Sequence, residues 1–190
     1  MSSRNAILDS LRKSVVPPAS RPAPMIGTRY ADPLKQFEET LTAVGGRLVR
    51  GGDLASLDVY ANAPKVASLV PGVPSRNVDL HAIQDPHELD GVDVAVIPGE
   101  FGVAENGAVW VPGEILAPHR AIFVIAQHLI LVVPSDQIVD NLHQAYERIQ
   151  WRPNSFGILI SGPSKTADIE QSLVMGAHGA RSCTVILVAQ

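Results

Sequence analysis

Cysteine is nearly missing: Cys183 is the only one among 190 residues. A lone thiol cannot build a disulfide framework, a zinc ribbon or an iron–sulfur cluster within one chain. Long apolar runs are missing too. The longest, from Ala121 to Val133, is broken by Gln127 and His128, which leaves no convincing membrane span. No charged-then-apolar leader opens the chain, so a cytoplasmic protein is expected. The Walker pattern G-x-x-x-x-G-K-[ST] is absent, and nucleotide hydrolysis loses its support with it.

Basic charge is scarce and uneven. Lys and Arg number 15 against 19 Asp and Glu, a net of −4. The first 30 residues hold five basic groups (Arg4, Arg12, Lys13, Arg21, Arg29) and one acid, Asp9. Ten basic and eighteen acidic groups remain for the other 160 residues, a net of −8. An acidic body argues against nucleic acid as the main partner, because neutralising phosphates needs clustered Lys and Arg.

What is present is a chain with 46% hydrophobic and 18% charged residues, too apolar for wholesale disorder. Ile7, Leu8, Leu11 and Val15 recur at helical spacing and predict a short amphipathic helix rather than a transit peptide. Four prolines between Pro17 and Pro24 then exclude helix and central strand, so an extended linker is expected. The division is residues 1–31 as arm and linker, and 32–190 as one α/β domain. A free arm of this kind can dock on its own domain or on another copy in a homo-oligomer.

Asp32-Pro33 reads as an N-cap and first helical position, followed by the apolar stripe Leu34, Phe37, Leu41, Val44. Gly45-Gly46 stops that helix before a short strand at 47–50. A helix near 53–60 and a strand around 66–70 are expected next. Val94–Ile97, Ala108–Val111, His128–Val133, Gly157–Ile160 and Ser182–Val188 read as short buried strands. Pro134-Ser135 is expected to open a helix carrying Ile138, Leu142, Tyr146 and Ile149, and Ser164–Met175 a second one. Strands alternating with amphipathic helices predict a mainly parallel sheet covered on both faces.

The stretch from Ile158 to Glu170 carries the most information. It reads as strand, tight turn at Gly162-Pro163, and helix start with Ser164 as N-cap. Free amides at such a start, beside the hydroxyls of Ser161, Ser164 and Thr166, would receive a carboxylate or phosphate, with Lys165 as an added cation. Asp168 and Glu170 would repel an anion if they faced it; favourable interaction with the helix dipole is their alternative role. A structural cap and an anion site are both open readings, and the crowding of small and hydroxyl residues favours the site.

Gly162-Pro-Ser-Lys-Thr-Ala-Asp-Ile-Glu170 and Leu173-Val-Met-Gly-Ala-His-Gly179 resemble the C-terminal signature of the lactate-utilisation protein C family, also called the LUD domain. The resemblance extends to Val103–Ala108, to Pro134 with the helix expected after it, and to the N-terminal helix. It implies a three-layer α/β/α fold similar to ribose-5-phosphate isomerase, glucosamine-6-phosphate deaminase and CoA transferases. It also implies an accessory or regulatory part in oxidising L-lactate to pyruvate, beside partner subunits that carry iron–sulfur clusters; the solitary cysteine fits such a part. This chain has Glu105-Asn106-Gly107 where the family usually has Glu-Thr-Gly, and Ala180 where it usually has Pro.

Glu105 is the leading catalytic candidate. It sits among small residues that let a ligand approach, and a carboxylate there can serve as base or nucleophile. Glu-Asn-Gly also resembles the motif of class I CoA transferases, so a free-standing isomerase-like or CoA-transferase-like enzyme is the competing reading. Asn106-Gly107 is equally the favoured pair for a hairpin turn. Glu100 is a weaker candidate. His178 reads as the cap at the far end of the 164–175 helix, about 18 Å from Ser164. His81, Asp85, His87 and Glu88 match no metal-ligand spacing, and Asp85 reads better as a loop residue entering a helix. His119-Arg120 reads as a solvated loop; Trp110, Phe123 and Cys183 read as core. No cofactor and no metal are assigned.

Overall fold

The structure, a computed structural model, describes residues 3–14, 19–20, 26–51, 53–151, 156–169 and 172–189. The side chains at 117, 167–169 and 172 lie outside that description, as do most of the expected proline-rich linker and Glu170.

In chain order the helices are α1 (Ser3–Lys13), α2 (Pro33–Ala43), α3 (Asp58–Ala61), α4 (Gly113–Leu116), α5 (Ile122–Ile125) and α6 (Leu142–Arg148). The first strands are β1 (Arg47–Arg50), β2 (Val66–Ser68), β3 (Val94–Pro98), β4 (Phe101–Val103), β5 (Ala108–Pro112) and β6 (His128–Pro134). After them come β7 (Ile138–Val139), β8 (Gly157–Ile160), β9 (Lys165–Ile169), β10 (Ser172–Met175) and β11 (Ser182–Val188).

A five-stranded sheet in the order β1-β11-β6-β3-β2 is parallel at every pairing. Its strands are apolar on both faces, as a covered parallel sheet requires. Ala95, Ile97, Leu129, Leu131, Val185 and Leu187 face one way, onto α2 and a second sheet. Val94, Val96, Ile130 and Ile186 face the other, onto Leu57 and Ala63 beside α3. The second sheet, β7-β4-β5-β8, is mixed, with antiparallel pairs on both sides of β5. In β5 the alternation is plain: Val109 and Val111 join the central core, while Ala108 and Trp110 face α6. The result is α/β with a mainly parallel central sheet flanked by helices.

Several local expectations hold for the stated reasons. Asp32 Oδ1 accepts the Lys35 amide at 3.0 Å and Pro33 opens α2. Gly45, at φ 80°, ends it. Asp85 caps a short 3₁₀ turn at Pro86–Leu89, with Glu88 completing a capping box.

Three expectations are corrected. Residues 53–60 split into a 3₁₀ turn at Leu54–Ser56 and the single turn of α3. Ile138 belongs to β7, beside Gly102 of β4, and the helix begins only at Leu142, where Asn141 accepts the Gln144 amide at 3.1 Å. Most consequentially, 164–175 is no helix but the antiparallel hairpin β9–β10. Its β-branched Thr166 and Val174 suit a pleated ribbon. A helix there would also need a face to bury, and Leu173 and Met175 are exposed.

Candidate functional site

The β4–β5 hairpin turns through residues 104–107. The Gly107 amide returns to the Val103 carbonyl at 2.9 Å, and Asn106 Oδ1 accepts the Ala108 amide at 3.1 Å. Gly107 stands at φ 66°, and a Cβ there would lie 2.6 Å from the Leu41 backbone nitrogen, so only glycine lets the turn rest on α2. Thr40 Oγ1 donates to the Ala104 carbonyl at 2.8 Å. From the opposite side Ser161 Oγ, at the end of β8, donates to the Asn106 carbonyl at 2.7 Å.

Glu105 occupies the tip. Its amide donates to the Asp140 carbonyl at 2.9 Å, and its Oε2 accepts the Leu142 amide at 2.8 Å. One carboxylate oxygen is therefore spent on an otherwise orphan amide in the first turn of α6. Beneath it, Asp140 is buried and receives the Tyr30 amide at 3.0 Å, while Asn141 donates to the Thr28 carbonyl at 2.8 Å. The Glu105 side chain remains exposed. With Leu142, His143, Tyr146 and Glu147 it lines an open groove of about 600 Å³. An exposed carboxylate beside an imidazole in one groove can exchange protons with a bound molecule.

The Ser161–Thr166 corner differs from expectation. Gly162 and Pro163 are buried, and a Cβ on Gly162 would lie 2.6 Å from the Val44 carbonyl at the end of α2. The Ser164 amide donates to Ala180 at 2.8 Å, and its carbonyl accepts the Gly176 amide at 3.0 Å. Lys165 and Thr166 stand in ladder register with Met175 and Val174, and Lys165 Nζ donates to the Val44 carbonyl. No helix starts here and the Ser164 amide is already paired, so the local geometry at Ser161, Gly162, Ser164, Lys165 and Thr166 differs from the helix start on which an anion site was expected. Asp168 contributes its backbone to β9; its side chain lies outside the described residues. His178 is relocated as well. The hairpin folds back, so that a Cβ on Gly179 would lie 3.0 Å from the Ser164 Cβ, instead of a helix length away.

The structure thus brings Glu105, Asn106 and Gly107 to Ser161 and Gly162 around the end of α2, with Ser164 and Lys165 just beyond. Sequence reasoning missed two recesses. One of about 380 Å³ is lined by Glu100, Trp110, Glu114, Arg148 and Trp151, among others. The other, about 680 Å³, lies at the carboxyl end of β2 and is lined by Ser68, Ser75, His81 and His119 among apolar residues. His119 is buried, not part of a solvated loop; the apolar Ile115-Leu116 just before it was the available signal. Arg120 lies over the Phe156 ring at 4.9 Å.

The remaining titratable groups have structural surroundings. The His87 amide and ring hold the Asp85 carboxyl below its ordinary range. Burial, then the nearby Arg181, lowers the His128 imidazole, which meets Ser182 Oγ at 2.8 Å. Burial pushes the Cys183 thiol up to about 12. Among the described residues no three His, Cys, Asp or Glu side chains are grouped to hold a metal ion, and no helix is long and apolar enough to cross a membrane.

The LUD domain profile matches residues 84–188, from before β3 to the end of β11. The chain belongs to the LUD domain family. It is 29% identical to Lactate utilization protein C of Deinococcus radiodurans over 97% of this chain and 91% of that one. With Lactate utilization protein C of Geobacillus kaustophilus it shares 35% identity over 55% of this chain and 46% of the relative. A solved DUF162 family protein from Deinococcus radiodurans superposes with a TM-score of 0.59 at 21% identity, covering 83% of this chain and 96% of that one. That likeness supports the LUD fold; within it, the matched region carries Glu105, the Ser161 corner and the β9–β10 hairpin.

Proposed function

We propose that this chain serves lactate utilisation, the oxidation of L-lactate to pyruvate, as a cytoplasmic accessory or regulatory subunit beside iron–sulfur partner subunits. The observation that carries this reading is the likeness to Lactate utilization protein C of Deinococcus radiodurans, which runs over 97% of this chain and 91% of that one. The geometry of Glu105 agrees with an accessory part, since one of its oxygens caps α6 and fixes the β4–β5 turn to it.

A second reading, a free-standing isomerase-like or CoA-transferase-like enzyme using Glu105, draws on the exposed carboxylate and its groove. Glu105→Gln separates the two, because the amide oxygen still accepts from Leu142 while charge and nucleophilicity vanish. A strain deleted for this chain is complemented with wild type and with Glu105→Gln and grown on L-lactate. Full growth with the Gln variant supports the accessory reading. Loss of growth with a folded Gln variant replaces it with catalysis by Glu105, and normal growth of the deletion strain removes lactate utilisation altogether. Co-purification of iron–sulfur proteins with the tagged chain tests the partners.

A further inference from the structure

We propose that the basic helix α1 of one copy docks on an acid-rimmed aromatic face of a second copy, in a reciprocal two-fold pair. Helix α1 has an apolar side without a place to go: no residue in it is buried, and Ile7 and Leu11 are 61% and 64% exposed. Arg4 and Arg12 flank that side, Asp9 is paired to Arg12 at 3.2 Å, and Lys13 adds a further positive charge on the far face of the helix. The helix is net positive on a chain whose remainder is strongly negative.

Among the described residues the body offers a surface of opposite character. Tyr146 and Trp151 are 53% and 63% exposed and stack with ring centres 5.7 Å apart; Trp151 sets its edge against Trp110 at 6.4 Å. Exposed aromatic pairs of this kind are typical anchors of protein interfaces. The pair is a ridge between the two recesses of about 380 and 600 Å³. Exposed Glu100 and Glu114 rim one recess, Glu105 and Glu147 the other. Among the described residues the arginines at this face are both engaged: Arg148 lies over the Phe101 ring at 4.8 Å and donates to Gln137, and Arg120 lies over the Phe156 ring at 4.9 Å.

Size and charge agree. Residues i and i+4 of a helix stand about 5–6 Å apart, so Ile7 and Leu11 match the spacing of the two rings. Eleven residues span about 16 Å, enough to carry Arg4 to one acidic rim and Arg12 to the other. Since α1 buries nothing on its own body, a second copy is the occupant. Reciprocal exchange doubles the contact and closes the pair. Thr28 and Tyr30 are bonded to the chain's own Asn141 and Asp140, and the 14 residues between Lys13 and Thr28 reach up to about 50 Å.

The test is the mass of the full-length chain by sedimentation equilibrium. Wild type is expected to be a dimer at about 0.1 M salt and to weaken towards 1 M, where the screening length falls from about 10 to about 3 Å. Trp151→Ala should weaken association by about thirtyfold or more. A helix-reversed variant (Arg4→Glu, Arg12→Glu, Lys13→Glu) and a face-reversed variant (Glu100→Lys, Glu114→Lys, Glu147→Lys) should each be monomeric, and their mixture dimeric. If either reversal fails to fold by circular dichroism, Leu11→Ser and Trp151→Ala take their place, each expected to be monomeric. A wild type that stays monomeric overturns the proposal, including one whose tryptophan fluorescence moves on Leu11→Ser, which would mean docking within one chain. So does a dimer that survives the reversals, or a mixture that remains monomeric.

Discussion

The Ser161 hydroxyl donates to the Asn106 carbonyl across 2.7 Å and 55 positions of sequence. This bond ties the end of β8 to the β4–β5 turn. It thereby joins, against the last turns of α2, the two segments whose composition pointed to chemistry. Because Ser161 is exposed, the bond's net worth is small. Ser161→Ala is expected to lower stability by about 1 kcal/mol or less, with an unchanged m-value in urea.

Gly107→Ala should be far more damaging. It combines a left-handed φ of 66° with a Cβ 2.6 Å from backbone on α2. Gly91 has a similar φ of 74° and nothing within 4 Å of its would-be Cβ. Gly91→Ala should therefore cost about 1 kcal/mol from the backbone alone, and Gly107→Ala more than about 2 kcal/mol. Urea midpoints of the two variants measure the difference; equal losses would show that the turn does not rest on α2.

Glu105 can be probed for its capping bond apart from any chemistry. Glu105→Ala removes the acceptor of the Leu142 amide and should cost about 1 kcal/mol, in the range of a lost helix cap. Glu105→Gln should cost clearly less. If both variants lose the same stability, the bond contributes nothing and the charge alone is responsible.

The lowered His128 imidazole makes stability depend on pH. Burial favours its neutral form in the folded chain, so the unfolded chain takes up the proton first. This contribution is fully present above the unfolded value near 6.5 and is lost as pH falls through the lower folded value. Thermal midpoints of wild type should fall between pH 7.5 and 5, and the fall should be shallower in His128→Gln. The depressed Asp85 carboxyl acts in the same direction but only below about 3.8, outside that window.

Cys183 should be inert. Its thiol is buried and pushed up to about 12, so at pH 8 the reactive thiolate is about one part in ten thousand. Labelling by an aromatic disulfide reagent should be negligible in buffer and complete in urea. Rapid labelling of the folded chain would place the thiol outside the core.

Much of this was legible along the chain because local chemistry decides it. Asp32-Pro33 and Asp85-Pro86 announce helix starts through their own capping bonds. The apolar runs at Val94, His128 and Ser182 mark covered strands because both faces need apolar side chains. The errors fall where distant partners decide. Ile138 carries a helical spacing but pairs beside Gly102. The 164–175 stretch fits a helix by its flanking Ser and Gly, yet its amides find strand partners, and Leu173 and Met175 are exposed. His119 is buried beside the recess at the β2 end, and along the chain only the apolar Ile115-Leu116 before it pointed that way.

Composition, caps and apolar periodicity by themselves determined an α/β chain with a basic helical arm, one inert thiol and an Asn-Gly turn bearing a carboxylate. Tertiary structure alone decided that this carboxylate caps α6, that Ser161 clasps the same turn, and that the segment after Ser164 is a ribbon instead of a helix. The division follows from range. Capping and periodicity are set by neighbours a few residues away, whereas those three outcomes depend on hydrogen-bond partners and buried surfaces that only the folded chain brings within reach.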